Sequence, residues 1–231
     1  MRNGLLALVP VTLALAAMIA ESSAGAPEKD TAQQGPIKVM TCQTISQPGS
    51  YRLANNIETA TGDCLVITAS FVSIDLAGFS ISADDGGAII VPPSSGQLNG
   101  IGVRNGSVIA SDDGVYLGSA FNCIVEGLRV YVLPAPGGTG IVASGIVRNN
   151  VANGGHGGGI SATGIVTGNI AGGGEYGISA GAGSTVIGNT AYGTTRAISV
   201  ACPSNVTNNT AAAGVISLQG SGCSNTNNAP P

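Results

Sequence analysis

The sequence predicts an all-β fold, a single-domain right-handed parallel β-helix built as a solenoid of roughly 20-residue coils. Three observations predict it. A six-residue segment recurs without gaps at 147–152 (VRNNVA), 166–171 (VTGNIA), 186–191 (VIGNTA) and 206–211 (VTNNTA). Between the copies stands a second marker, Gly140-Ile141, Gly159-Ile160, Gly177-Ile178 and Gly214-Val215, with Ala197-Ile198 as its variant. The 231 residues include 37 Gly and no Trp, yet 43% are hydrophobic, gathered as Val and Ile in short clusters. Disordered chains lack that apolar content, and glycine at this density rules out helices.

The repeat reads as strand, turn, strand, turn. Two short strands cannot bury their apolar face alone, so successive coils stack about 4.8 Å apart and align Val and Ile into one core. Weaker copies upstream, around 72–78, 103–106 and 124–127, extend the series. A propeller blade needs a period near 40 residues, and a β-sandwich has no strict period. The repeated Asn150, Asn169, Asn189 and Asn209 suit the bend between strands, because Asn tolerates the left-handed conformation. Stacked at every coil, their amides are expected to hydrogen-bond in a ladder.

Residues 1–24 carry Arg2, an uncharged apolar run at 5–20, and Ser22 and Ala24 before a cleavage point. They are expected to form a secretory signal peptide. Residues 25–40 are expected to be a flexible leader, 41–225 the β-helix and 226–231 a loose tail. The protein is therefore expected to be secreted or periplasmic, with no membrane association after cleavage. In that oxidising setting the Cys42/Cys64 and Cys202/Cys223 spacings, each near one coil, predict two bridges, one stapling each end. Cys123 is left as a buried free thiol. Phe71 and Phe79 are expected in the core, and Tyr116, Tyr131, Tyr176 and Tyr192 facing out.

With a net charge of −4 and only 9% charged residues, the chain has no basic surface to follow a phosphate backbone, so nucleic acid is excluded as a partner. One His and paired Cys leave too few ligands for a transition metal. Ca²⁺ would need clustered carboxylates. Asp84-Asp85, followed by Gly86-Gly87, reads as a solvated turn, and no cofactor is expected. Asp75 is expected to bond a turn amide, and Glu126 and Glu175 stand alone.

The stretches QPGSYRLANNI, CLVITASFVSIDLAGFSI and GIGVRNGSVIAS resemble bacterial exported proteins with right-handed β-helix repeats, members of the pectate-lyase-like superfamily. The resemblance covers about residues 40–225. It implies the fold and a polysaccharide partner; the superfamily spans lyases, polygalacturonases, epimerases and members without activity, so it implies no one reaction. The order Asp112-Asp113, then Gly155-His156-Gly157, then Arg196 resembles the polygalacturonase pattern, in which paired carboxylic groups protonate the leaving oxygen and activate water. Arg196 would then hold the substrate carboxylate. The departures are plain. His156 falls two coils after Asp113, about 10 Å along the stack, the earlier Asn-Thr-Asp element is missing, and no Lys follows Arg196. Arg104, Arg129 and Arg148, about one coil apart, offer a basic row for an acidic glycan, with Tyr176 as a sugar platform. The expected function is to bind or process polysaccharide, with weak or no catalysis. The alternatives are a structural or adhesive surface module and a polygalacturonase-like hydrolase.

Overall fold

Each coil is a triangle of three strand segments, and stacking the coils builds three parallel sheets. The computed structural model describes residues 35–134 and 137–229; the expected signal peptide and most of the leader lie outside them. Within the described residues the strands form a parallel β-solenoid of about nine coils. Sheet 1 begins at Ile37–Val39 and ends at Ser224–Thr226. Sheet 2 begins at Ile57–Thr59 and closes with Ala229 bridged to Thr210. Sheet 3 begins at Gln43–Ile45 and ends within Thr210–Gln219. The expected coil had two strands. The third arises because the chain bends at the Asn corner and then runs straight for a short segment, as at Val151–Asn153 and Ile170–Gly172.

Alternation along each strand sends one side chain inward per coil. On sheet 1 the inward row is Val103, Val125, Val147, Val166, Val186 and Val206, all buried and in register. On sheet 3 it is Val115, Ile141, Ile160, Ile178 and Ile198. Each such side chain contributes about 1.5–3 kcal/mol by leaving water. Sheet 2 starts with Ile57, Ile81, Val108 and Val130 but continues with Ala152, Ala171, Ala191 and Ala211. The later coils are filled by smaller side chains, and the Gly before Ile141, Ile160 and Ile178 lets the backbone corners approach. A Cβ on Gly140 would overlap the Gly159 carbonyl.

The Asn ladder forms as expected. Asn150, Asn169, Asn189 and Asn209 are each 1% exposed. The Asn189 Oδ1 accepts from the Asn169 backbone N–H at 2.9 Å and from its Nδ2 at 3.0 Å. The Asn189 Nδ2 donates to the Asn209 Oδ1 and to the Val166 carbonyl, each at 2.9 Å. At one end the ladder starts from the Leu128 N–H, which donates to Asn150 at 3.0 Å. At the other it extends one rung beyond expectation, to Asn228. Residues 226–229, read as tail, therefore belong to the last coil, and Ile37–Val39, read as leader, pairs with 51–53. The last coil escapes apolar patterning because its strand Ser224–Thr226 is polar, and the first because Ile37–Val39 is a single short strand with one buried side chain, Val39. The left-handed conformation lies one residue before the ladder amide, at Asn149 (φ 55°), Gly168 (φ 64°), Gly188 (φ 64°) and Asn208 (φ 56°). The corner and the ladder are thus made by adjacent residues, not by one.

Cys42–Cys64 and Cys202–Cys223 are disulfide-bonded, and Cys123 is a buried free thiol. Burial pushes its thiol up from the ordinary value. Phe79 packs partly against the core, but Phe71 is 67% exposed and sits at φ 59° on the sheet 3–sheet 1 corner. It falls at a turn, where strand alternation no longer applies.

Two outcomes separate ladder from corner. Asn189→Ala strips partners from buried amide groups on both neighbouring coils and is expected to lower stability by about 3 kcal/mol in urea unfolding. Asn208→Gly keeps the left-handed corner and should change it by less than about 0.5 kcal/mol. Cys123 is expected to resist alkylation in the folded protein and to react once it is unfolded, followed by mass spectrometry.

Candidate functional site

The residues that resemble a polygalacturonase centre lie on one edge of the solenoid, where sheet 2 turns into sheet 3. They do not meet. Asp113, Thr139, Gly158, Tyr176 and Arg196 occupy one column of that corner, so Asp113 and Arg196 are separated by four coils, about 19 Å. His156 stands two coils after Asp113. The Asp113 Oδ1 accepts the Thr139 N–H at 2.6 Å. Burial raises its pKa from 3.8, with the Thr139 bond opposing and Asp112 and Asp63 adding to the rise. A raised carboxyl pKa is the direction a general acid needs, but no histidine or arginine lines the hollow beside it among the described residues. The shallow hollow beside it, about 400 Å³, is lined by Asp85, Gly86, Ser111, Asp112 and Gly137. No group of three or more His, Cys, Asp or Glu side chains suited to a metal occurs among the described residues.

The expected basic row is overturned. Arg52, Asp75, Arg104, Glu126 and Arg148 stand in register on sheet 1 and alternate in sign. Arg104 pairs with Asp75 at 3.5 Å, and the Arg148 Nε donates to Glu126 at 2.6 Å. Arg129 lies on sheet 2, in register with Ser107 and Val151. Spacing of one coil places residues on neighbouring coils without saying which sheet they occupy. Asp75 also accepts the Ala77 N–H at 2.9 Å, the turn bond expected of it.

A groove does form further along the same corner. Its larger hollow, about 510 Å³, is lined by Tyr131, Val132, Pro134, Asn153, Gly154, Gly155, His156, Gly174, Glu175 and Thr194. A second of about 290 Å³ adjoins it, shares Asn153, Gly174 and Thr194, and adds Tyr192 and Ala213. The hollow follows from the linkers between sheets 2 and 3, which shorten from 133–138 through 154–157 to 173–175. The glycines of the corner keep its floor low. A Cβ on Gly173 would overlap the Gly154 carbonyl, and one on Gly174 the His156 carbonyl. His156, which the sequence groups with Asp113 and Arg196, and Glu175, which it leaves alone, thus line one groove. Arg196 stands at its side: its Nη1 donates to the Tyr176 hydroxyl at 2.8 Å and meets Glu175 at 3.5 Å, with the guanidinium 5.4 Å from the Tyr176 ring centre. Of the expected outward tyrosines, Tyr131 and Tyr192 are exposed, while Tyr116 and Tyr176 are half-buried.

A third hollow, about 460 Å³ on sheet 3, is lined by small and hydroxyl side chains including Ser144, Ser161, Thr163, Ser179 and Ser199, with Tyr176 and Gln219. No carboxylate, histidine or cation lines it.

The raised Asp113 carboxyl makes a stability prediction. The folded state binds its proton more tightly than the unfolded state, so stability falls as pH rises through the window above 3.8. Asp113→Asn, which keeps an oxygen for the Thr139 N–H, is expected to stabilise the protein at pH 7 by less than about 1 kcal/mol after solvent screening. The gain should vanish below about pH 4, in thermal melts taken across pH. No protein-family model matches the chain, and no curated protein or solved structure matches it.

Proposed function

We propose that the protein is exported and binds polysaccharide in the corner groove without cleaving it. The observation that carries this reading is the composition of the groove. A sugar ring presents an apolar C–H face and a rim of hydroxyls. Tyr131 and Tyr192 suit the face; Asn153, His156, Glu175 and Thr194 suit the rim. Glu175 is the one carboxylate lining the groove among the described residues, whereas glycoside hydrolysis uses a pair. Arg196 and Glu175 engage each other, which leaves neither placed as a free acid–base group. The two disulfides favour an oxidising compartment outside the cytoplasm.

A second reading, a structural or adhesive module, draws on Phe71. A bulky residue exposed at positive φ is uncommon without a use, and Phe71 sits on a different corner from the groove.

Affinity electrophoresis against neutral and acidic polysaccharides tests the first reading. Retardation by at least one polymer is expected, lost in a Tyr131→Ala/Tyr192→Ala double variant, with no new reducing ends or unsaturated products. Product release that disappears in Glu175→Gln would overturn the non-catalytic claim. No retardation of folded protein by any polymer would overturn the groove and leave the adhesive reading.

A further inference from the structure

We infer that the C-terminal end of the solenoid is an association surface, and that its partner is the same end of a second copy, joined edge to edge through sheet 3. The inference is independent of what the groove holds.

The end is open in backbone and in core. Ile216 follows Ile178 and Ile198 in register, and Leu218 follows Ala180 and Val200. At the far end of these two columns the Ile89 N–H donates to the Gly114 carbonyl of the next coil, and the Val91 and Leu117 N–H groups donate to Tyr116 and Val142, each of the latter at 2.8 Å. Ile216 and Leu218 therefore turn their N–H and C=O groups the same way, toward a coil that does not follow. Gln219 faces back, its carbonyl accepting the Cys202 N–H at 2.8 Å. Among the described residues, Val215–Gln219 pairs only with the strand of the preceding coil. The apolar interior is open there too. Ile198 and Val200 are fully buried, whereas Ile216 and Leu218 are half-buried and Val215 is 54% exposed.

Nothing on this edge keeps another strand away. Proteins guard exposed edges with charge, proline or a bulge. No Asp, Glu, Lys or Arg follows Arg196 in the sequence, and 215–219 holds no proline. Its register with the preceding coil is regular from Ile216 to Gln219, and the Cys202–Cys223 bond ties the last coil in place. The other two sheets end differently. Sheet 1 closes with the polar strand Ser224–Thr226. On sheet 2 the sequence after Ala229 runs into Pro230-Pro231, which have no N–H to offer.

The edge is complementary to itself. A two-fold axis perpendicular to sheet 3 at Ser217 sets two such strands antiparallel, with both interiors on the same side of the joined sheet. Ile216 then lies opposite Leu218 of the second copy, and each of these pairs exchanges both backbone hydrogen bonds. Their side chains close the two open cores against each other. The two Ser217 residues form the non-hydrogen-bonded pair on the axis, facing outward. Such a contact is isologous and stops at the dimer. Head-to-tail stacking fits less well. It would set this uncharged end on first coils that expose Lys38, Arg52 and Glu58. It would also need a next rung for the Asn ladder, yet the Asn228 Nδ2 already donates to the Asn225 Oδ1 at 2.6 Å. One strand edge is small beside the roughly 800 Å² per partner of a standard interface, so the dimer is weak.

The test joins a cross-link to sedimentation of the full chain. On the axis the two 217 positions lie about 4.5 Å apart between Cα atoms, within reach of a disulfide. The Ser217→Cys variant is expected to form a covalent dimer under mild oxidation, with the linked 217–217 peptides identified by mass spectrometry. Ser161→Cys, in the same outward column three coils back, should stay monomeric. Cys123 is buried and does not compete. In sedimentation velocity the unsubstituted protein should pass from monomer to dimer and no further, with a dissociation constant on the order of 10–100 µM. Ser217→Asp and Ser217→Lys set like charges face to face on the axis. Each should weaken the dimer at least about tenfold without changing the circular dichroism spectrum, and mixing the two variants should restore it. Equal cross-linking of Ser161→Cys and Ser217→Cys would reduce the contact to random collision and overturn it. Growth beyond the dimer without 217–217 linkage would point to head-to-tail stacking and overturn self-pairing. A monomer at every concentration up to about 1 mM, with no cross-link, would overturn the association surface itself.

Discussion

Buried asparagine amides, one per coil from Asn150 onward, hold the later half of this solenoid in register, and the groove depends on them. Backbone pairing between parallel strands would tolerate a slip by an even number of residues, since the same faces would stay inward. The amides would not. Each rung uses its oxygen for two donors on the preceding coil and its nitrogen for the next amide and for a backbone carbonyl, as at Asn169 and Asn189. A slip would strand these groups in an interior where an unmet donor costs about 1–3 kcal/mol. The ladder therefore makes each coil from Asn150 onward return to the same corner after 19 or 20 residues. With that corner held, variation in chain length is pushed to the other two, and the groove is one result.

Charge is sparse enough that its arrangement can be followed residue by residue. On sheet 1 stacking alternates the signs of Arg52, Asp75, Arg104, Glu126 and Arg148. Exposed pairs of this kind add little stability singly; as a rule opposite charges sit over one another in this column, with Lys38 over Arg52 the exception. The same rule shapes the groove, where Arg196 comes within reach of Glu175 and Tyr176 on the neighbouring coil. What faces the groove is one carboxylate among tyrosines, amides and hydroxyls.

The fold was legible because a parallel stack repeats its chemistry at every level. Valine over valine and asparagine over asparagine are structural requirements, so they appear as a period. The cysteine pairs were legible for the same reason, one coil apart in sequence and bonded in space. What a period cannot convey is the sheet on which a residue lies: Arg129 was grouped with Arg104 and Arg148 although it belongs to another face. Nor does it convey a corner's shape. The motif-like order Asp113, His156, Arg196 was real in sequence and empty in space, because one coil too many separates its parts. The groove residues Tyr131, Asn153, His156, Glu175 and Tyr192 share no motif. Their signal was the shortening of the linkers between sheets 2 and 3, visible only once strand ends are known. Phe71 and the last rung at Asn228 were missed because both depart from apolar alternation, one at a turn and one at an end.

Ladder, corner and groove form one chain of causes, and it places ligand contact on a single edge of the solenoid. Hydrogen–deuterium exchange, compared with and without a bound polysaccharide, tests that placement most directly. Slower exchange is predicted in peptides covering Tyr131–Val132, 153–157, 173–176 and 192–194, with the sheet 1 charge ladder and the hydroxyl-lined face of sheet 3 unchanged. Protection centred on sheet 1 or sheet 3, with the corner unaffected, would contradict it.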